Sequence, residues 1–318
     1  MITVATLVGC AIGDALGNLF EMDPPTTPRL VAWDGQFKAG GTFWKGEAGQ
    51  YTDDTLMSVA LSTGMINAKG FDPESVAKEY LAWYKSGNTR GIGGTTAGAM
   101  VNLKNGASAS ASGLTHGHDK KPVGDNGTAM RASPIGLVYR NDLDILVKHA
   151  ITDASITHNS LEPQMGSVAV ALATALLYHR VSSPDSVVWD VTDVLQDSEV
   201  KNKLLLAQKW LSQGIHLPMI AEEALAEIGT KGYVPETVGA AFFCLGATQS
   251  FQDPVVMAVK GGGDTDTTAA IVGAMAGTYY GLEGIPERYK DEVENFEQLQ
   301  SLTGELENLL LNKAFESK

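Results

Sequence analysis

Residues 259–281 read VKGGGDTDTTAAIVGAMAGTYYG, and they join two unlike halves. Gly261, Gly262 and Gly263 cost backbone entropy and pack nothing, so they belong where the chain turns sharply or approaches something closely. Asp264-Thr265-Asp266-Thr267-Thr268 follow, and then a run of small and apolar residues from Ala269 to Gly277. Asp264 stands where a helix N-cap is expected, and the run predicts a buried helix. Two aspartates thus fall at a helix start, where the macrodipole favours their ionised form. Capping accounts for one of them. The second, flanked by hydroxyls, leaves two readings open: a doubly capped helix, or oxygen ligands for a hard cation. No Gly-Lys-Ser/Thr follows the glycines, which argues against a P-loop.

A second stretch has the same character. Thr52-Asp53-Asp54-Thr55 opens the apolar run Leu56–Leu61. Adjacent like charges both stay ionised cheaply only in water or against a cation. If the two stretches meet, they supply four carboxylates, enough for a pair of divalent ions. The glycines at 261–263 would let the two halves approach.

Around these stretches the chain predicts helix after helix. Residues 3–21 form a small-residue helix in which Gly9, Gly13 and Gly17 would admit another helix closely. The same helix carries Asp14 and, beyond it, Glu21; a buried acid needs a partner or a metal. Residues 22–50 hold three prolines and several glycines and read as a long binding loop. Pro73–Ser86 is amphipathic, with Val76, Tyr80, Leu81 and Trp83 inward. Arg90-Gly91-Ile92-Gly93-Gly94-Thr95-Thr96 turns into a helix over 96–103, where backbone N–H groups could cradle a phosphate or simply start a helix. Residues 105–124 are rich in Ala, Ser and Gly, with His116 and His118 expected in solvent. Asn126-Gly127 is a turn before a helix at Thr128. Helices are expected over 142–153, 162–179, 187–195, 201–212, 220–228, 235–248 and 255–259, and His158 sits at a helix entrance. The tail 289–309 has an apolar residue every three or four positions. No alternation of period two is sustained. The expected fold is all-α, a single multi-helix domain over 1–318.

Composition limits the function. The net charge is −14 with no basic block, which argues against a general nucleic-acid binder. Apolar residues reach 44% while aromatics are 7%, so the core should be built of small, closely packed side chains. Cys10 and Cys244 lie far apart in apolar runs and read as buried free thiols. The apolar N-terminus lacks a basic leader and reads as core, and no stretch is long enough to span a membrane. A soluble, cytoplasmic protein with no membrane partner is expected. Nothing demands a second subunit, so a monomer is favoured.

Four stretches together carry a resemblance: Gly13-Asp14-Ala15-Leu16-Gly17 with Glu21, Thr52-Asp53-Asp54-Thr55, Asn126-Gly127-Thr128-Ala129-Met130-Arg131, and Gly262-Gly263-Asp264-Thr265-Asp266-Thr267. The chain resembles the ADP-ribosylglycohydrolases of the dinitrogenase-reductase-activating type, from residue 5 to about 281. Gly93-Gly94-Thr95-Thr96 and Thr157-His158 fit the same pattern. The resemblance implies a compact all-α fold and a centre of two Mg²⁺ (or Mn²⁺) ions. Thr52, Asp53 and Asp54 would be ligands from one side, and Asp264, Asp266 and Thr267 from the other. Glu21 matches the acid near the scissile bond, with Asp54 and Asp266 orienting the attacking water. Gly93, Gly94, Asn126, Gly127 and His158 match positions that hold the substrate. Residues 22–50 and 105–124 do not match closely, and there the substrate would be chosen.

The implied reaction releases ADP-ribose from an ADP-ribosylated protein or small conjugate by hydrolysis at the anomeric carbon. An ADP-ribosylated nucleic acid is not excluded. Alternatives are hydrolysis of a free derivative such as O-acetyl-ADP-ribose, and a non-catalytic binder on the same scaffold. The linkage cut, the choice between Mg²⁺ and Mn²⁺ and the oligomeric state are open at this level.

Overall fold

The computed structural model describes residues 3–214 and 217–310. Among them are seventeen α-helices and no strands, so the all-α expectation holds. The helices are α1 Thr6–Gly17, α2 Pro28–Val31, α3 Asp53–Asn67, α4 Pro73–Ser86, α5 Gly94–Lys104 and α6 Ala109–Ser112. They continue as α7 Ser133–Val138, α8 Leu143–Thr157, α9 Leu161–Tyr178, α10 Val187–Val194, α11 Glu199–Leu211 and α12 Leu217–Ile228. The last five are α13 Val234–Gly246, α14 Gln252–Lys260, α15 Thr265–Gly284, α16 Glu287–Glu292 and α17 Phe296–Asn308. Short 3₁₀ turns at Asn18–Phe20 and Ala129–Arg131 replace helix where the spacing predicts its continuation past Gly17 and its start at Thr128.

The centre of the molecule is the pair α1 and α15. Nearly every residue of both is buried, apart from the last turn of α15. Their faces carry glycine where they touch. A methyl group on Gly9 would overlap the backbone of Gly273, one on Gly13 the backbone of Ala269 and Ala270, and one on Gly17 the backbone of Thr265 and Asp266. The small-residue periodicity of residues 3–21 therefore does what it predicts. Two helix backbones come into direct contact, which multiplies dispersion contacts at little side-chain entropy cost. Thr6 Oγ1 and Thr278 Oγ1 pair across the contact at 2.8 Å, and Thr265 Oγ1 donates to the Gly17 carbonyl at 2.7 Å.

The other helices wrap this pair in one continuous apolar core that draws on residues from Val4 to Leu306. Cys10 and Cys244 are buried free thiols, as expected, Cys244 within this core and Cys10 in a small separate cluster with Ala270 and Ala274. The 22–50 segment contains only the short α2 and is pinned to the core by Leu30, Trp33 and Phe37. In the 105–124 segment, Leu114 pairs with the 157–159 backbone: its N–H donates to the Thr157 carbonyl at 3.0 Å and its carbonyl accepts from Asn159 N–H at 2.9 Å. On α4, Val76, Tyr80 and Trp83 are buried but Leu81 is only half-buried. No described helix is long and apolar enough to cross a membrane.

Candidate active site

The α1–α15 contact brings the two acidic helix starts together. Asp14, in α1, is the hidden piece. It is fully buried and accepts from both the N–H and hydroxyl of Thr52 (2.9 and 2.8 Å) and both the N–H and hydroxyl of Thr55 (3.0 and 2.7 Å). Asp14 thus caps α3 from another helix, and neither Asp53 nor Asp54 is needed for that task. The partner reading of this acid, rather than a metal, holds for Asp14.

At the other start, Asp264 occupies the N-cap position of α15 but makes no side-chain cap bond. Its Oδ2 accepts instead from Asn126 Nδ2 at 3.0 Å. Gly262 and Gly263 have φ of 68° and 75°, values open to glycine and strained for other residues. Their backbones lock the entry to Glu21: Met22 N–H donates to the Gly263 carbonyl at 2.6 Å and Gly263 N–H to the Asp23 carbonyl at 2.8 Å. The expectation that these glycines admit the opposite acidic half is corrected here. A methyl on Gly262 would meet the Asp23 carbonyl and Pro25, and one on Gly263 would meet Thr230. Gly17, against Asp266, and Gly91, against Thr52 and Asp53, are the glycines that let acidic segments come close.

All of this faces one cavity of about 390 Å³. Its acidic wall holds Glu21, Asp53, Asp54, Asp264, Asp266 and Thr267, and Gly93, Gly94, Asn126, Gly127 and His158 complete the lining, with Asn126 bonded to Asp264 where the two groups meet. Of the residues expected to act as metal ligands, substrate contacts or catalytic groups, only Thr52 is missing from the lining. It is fully buried beneath, with its hydroxyl directed to Asp14. Methyl groups added to Gly93 or Gly94 would touch nothing, so there is open space beside the first turn of α5, which lines the cavity.

The electrostatics of the acidic wall are one-sided. Among the described residues the lining includes no Lys or Arg. Asp54 Oδ1 and Asp264 Oδ1 are buried with no hydrogen-bond partner among the described residues. Burial pushes Asp53, Asp54 and Asp266 well above the usual carboxylate range, and their neighbouring carboxylates push the same way. The Thr267 hydroxyl partly offsets this at Asp54, which couples α15 to α3. Asp14 is raised to about 6 by burial, against its four hydrogen-bonded groups. Glu21 is raised to about 7 by burial, then by Asp264 and Asp14. Buried carboxylates without a counter-charge are costly. This donor set, carboxylate and hydroxyl oxygens with two orphaned acceptors, fits a hard divalent cation. Among the described residues no three His, Cys, Asp or Glu side chains already close on a common point, so the wall gathers the donors without forming a finished cage.

The opposite wall is backed by a buried network. Arg131, within the Asn126–Arg131 stretch, is fully buried and pairs with Asp153 at 3.0 Å. It also donates to the Gly127 carbonyl at 2.6 Å and to Thr157 Oγ1 at 2.9 Å. Tyr80 lies under the guanidinium and donates to Asp153 at 2.7 Å. The sequence marks Arg131 as part of a motif but carries no sign of its role, because Tyr80, Asp153 and Thr157 lie far from it in the chain.

Other cavity residues were not foreseen. His118 is exposed, as expected, yet it lies at the mouth. Asp125 accepts from the Thr95 hydroxyl across that mouth. Gly232 has no sequence signal at all; a side chain there would sit 2.8 Å from Asp264 Oδ2. A larger cleft of about 1050 Å³ lies behind the glycine turn, beside α12 and α14. It mixes apolar side chains with scattered charges and holds none of the carboxylate grouping, so the chemistry belongs to the smaller cavity.

A model of the ADP-ribosylglycohydrolase family matches residues 3–315. The chain belongs to that family. It is therefore a hydrolase of the ADP-ribosylglycohydrolase kind. An uncharacterized protein of Archaeoglobus fulgidus is 31% identical over 95% of both chains. ADP-ribosylarginine hydrolase Tri1 of Pseudomonas putida is 27% identical, covering 94% of this chain and 76% of the relative. Human ADP-ribosylhydrolase ARH3 is also 27% identical, over 94% of this chain and 91% of its own. Among solved structures, an ADP-ribosylglycohydrolase-related protein complex superimposes with a TM-score of 0.75 at 26% identity, covering 96% of both chains. For this ADP-ribosylglycohydrolase, the family match reaches across the acidic helix starts and the His158 wall alike.

Proposed function

We propose that this protein releases ADP-ribose from an ADP-ribosylated protein or small-molecule conjugate by hydrolysing the glycosidic bond at the ribose anomeric carbon. The observation that carries the reading is the convergence of two acidic helix starts and Glu21 on one cavity whose lining also includes the N-terminus of α5. The diphosphate of ADP-ribose suits the free N–H groups at Gly93 and Gly94, where the helix dipole favours negative charge. Asn126, Gly127 and His158 line the remainder of that wall and hold the ribose and phosphate oxygens.

Glycoside cleavage passes through an oxocarbenium-like state, and a carboxylate beside the bond can protonate the leaving group or take a proton from water. Glu21 has the placement for this, and burial, then the Asp264 and Asp14 charges, raise it to about 7. Asp54 and Asp266, on facing helix starts, orient the attacking water. Asp53, Asp54, Asp264, Asp266 and Thr267 would hold two divalent ions, Mg²⁺ or Mn²⁺, and Thr52, off the cavity wall, would join them only through the lone pairs its hydroxyl keeps while donating to Asp14. Such ions supply electrostatic stabilisation of charge at the reacting carbon and an anchor for the ribose hydroxyls. The named relatives point in two directions, to ADP-ribosylarginine and to an ADP-ribosylhydrolase without a stated linkage. The finer assignment to the dinitrogenase-reductase-activating type rests on the four sequence stretches alone.

The test is a release assay on ADP-ribosyl-arginine, ADP-ribosyl-serine, ADP-ribosylated DNA and O-acetyl-ADP-ribose, with EDTA and with Mg²⁺ or Mn²⁺ restored. Metal-dependent release from one glycosidic conjugate is the expected result. Release only from the acetyl ester, or full activity in EDTA, would refute the reading.

A further inference from the structure

His158 ends α8, almost fully buried, with one ring edge on the cavity and the other on Thr157. Its Nδ1 lies 2.8 Å from Thr157 Oγ1. That hydroxyl has one proton and two lone pairs. One lone pair is taken by Arg131 Nη2, which donates at 2.9 Å. Arg131 cannot give up its charge, and it is held from three other sides by the Asp153 carboxylate, the Asp153 carbonyl and the Gly127 carbonyl. The direction of the Arg131–Thr157 bond is therefore fixed.

The hydroxyl proton then needs an acceptor. Among the described residues the only further polar partner of Thr157 Oγ1 is His158 Nδ1. A buried hydroxyl proton left without a partner is costly, so the hydroxyl donates to Nδ1. Nδ1 accepts, and the ring proton resides on Nε2. Burial and the Arg131 charge, which lower His158 to about 3, keep this ring neutral. Nε2 has no bond to a described residue and lies beside Gly127, where a methyl group would be 3.4 Å from it.

We propose that Thr157 is a positioning residue: oriented by the Arg131–Asp153 pair, it fixes His158 as the Nε2–H tautomer, a neutral donor aimed at an acceptor oxygen of the ligand. The tautomer stands on the protein alone. The assignment of its acceptor to ADP-ribose rests on the function proposed above. The consequence is that this wall reads its ligand by a hydrogen bond rather than by charge, and that the hydrogen bond is lost if the ring proton moves to Nδ1.

Long-range ¹H–¹⁵N correlation of the ¹⁵N-His-labelled full chain reads the tautomer directly, with His158→Gln assigning the signal among the six histidines. The ligand-free wild type should show Nε2–H. Thr157→Ser keeps the hydroxyl and should keep the tautomer, with ADP-ribose affinity within about twofold. Thr157→Val should release the tautomer toward Nδ1–H and weaken ADP-ribose binding, and raise KM, by about tenfold, with kcat changed less. A proton on Nδ1 in the wild type would overturn the proposal, as would a Thr157→Val protein with tautomer and affinity unchanged. An Nε2–H signal in a wild type that neither binds ADP-ribose nor hydrolyses its conjugates supports the tautomer and refutes the proposed function.

Discussion

The cavity has two walls that bury charge in opposite ways. On one, carboxylates at the starts of α3 and α15 gather with no Lys or Arg among the described residues of the lining, and two of their oxygens have no described partner. Behind the other, Arg131 and Asp153 are equally buried, yet every contact is complementary. The first arrangement costs free energy in the bare protein and would recover it on binding the proposed cations. The second is complete in itself and serves to hold Gly127 and His158 in place. Buried charge without a counter-charge marks where something binds, and buried charge with one marks where something is held still.

The largest effect should come from the acidic wall. Asp53→Asn or Asp266→Asn is expected to lower ADP-ribose release on the order of 10³-fold. The same substitutions should raise the Tm of the metal-free protein by about 2 °C, since each removes a repelling charge. A variant that is both inactive and strongly destabilised would erase the contrast between the walls. Next comes the paired wall. Arg131→Met leaves Asp153 buried without its cation and should cost about 3–5 kcal/mol in denaturant unfolding. A loss under ~1 kcal/mol would show that the network is not holding the wall.

The walls should also titrate in opposite senses. Asp14 at about 6 and Glu21 at about 7 lie above their ordinary values, so the folded metal-free protein binds those protons more tightly than the unfolded chain. Their contribution improves as pH falls and is smallest above pH about 7. His158, at about 3, is the reverse. Its contribution is whole above its ordinary value of 6.5 and is lost as pH falls from there toward 3. Divalent ions should therefore raise Tm more above pH about 7 than below about 5, and His158→Gln should flatten the acid limb. Equal metal stabilisation at both pH values would remove the acidic wall as the metal site. The smallest effect is at the mouth, where Thr95 donates to the exposed Asp125. Thr95→Ala should change KM by about fivefold or less and leave unfolding unchanged.

Much of the acidic wall was legible in the chain because its residues are contiguous. Asp53-Asp54 and Asp264-Thr265-Asp266 each advertise a surplus of acid at a helix start. The small-residue spacing of Gly9, Gly13 and Gly17 likewise announces a close helix contact, and it is met by α15. The paired wall was not legible. Arg131, Tyr80, Asp153 and Thr157 come from separate elements, and nothing local marks an arginine as buried or a threonine as a relay. Asp14 shows the same limit: in the sequence it is one more acid, and only its position under Thr52 and Thr55 makes it a cap.

By itself, then, the sequence determined the all-α class, the two acidic helix starts and the family, since each depends on residues close together or on a pattern along the chain. Tertiary structure decided which acids face the cavity and which one serves a neighbouring helix. It also decided where the glycines make room and which proton His158 presents. Those outcomes depend on distances between segments far apart in sequence, and on desolvation that no single segment can impose on itself.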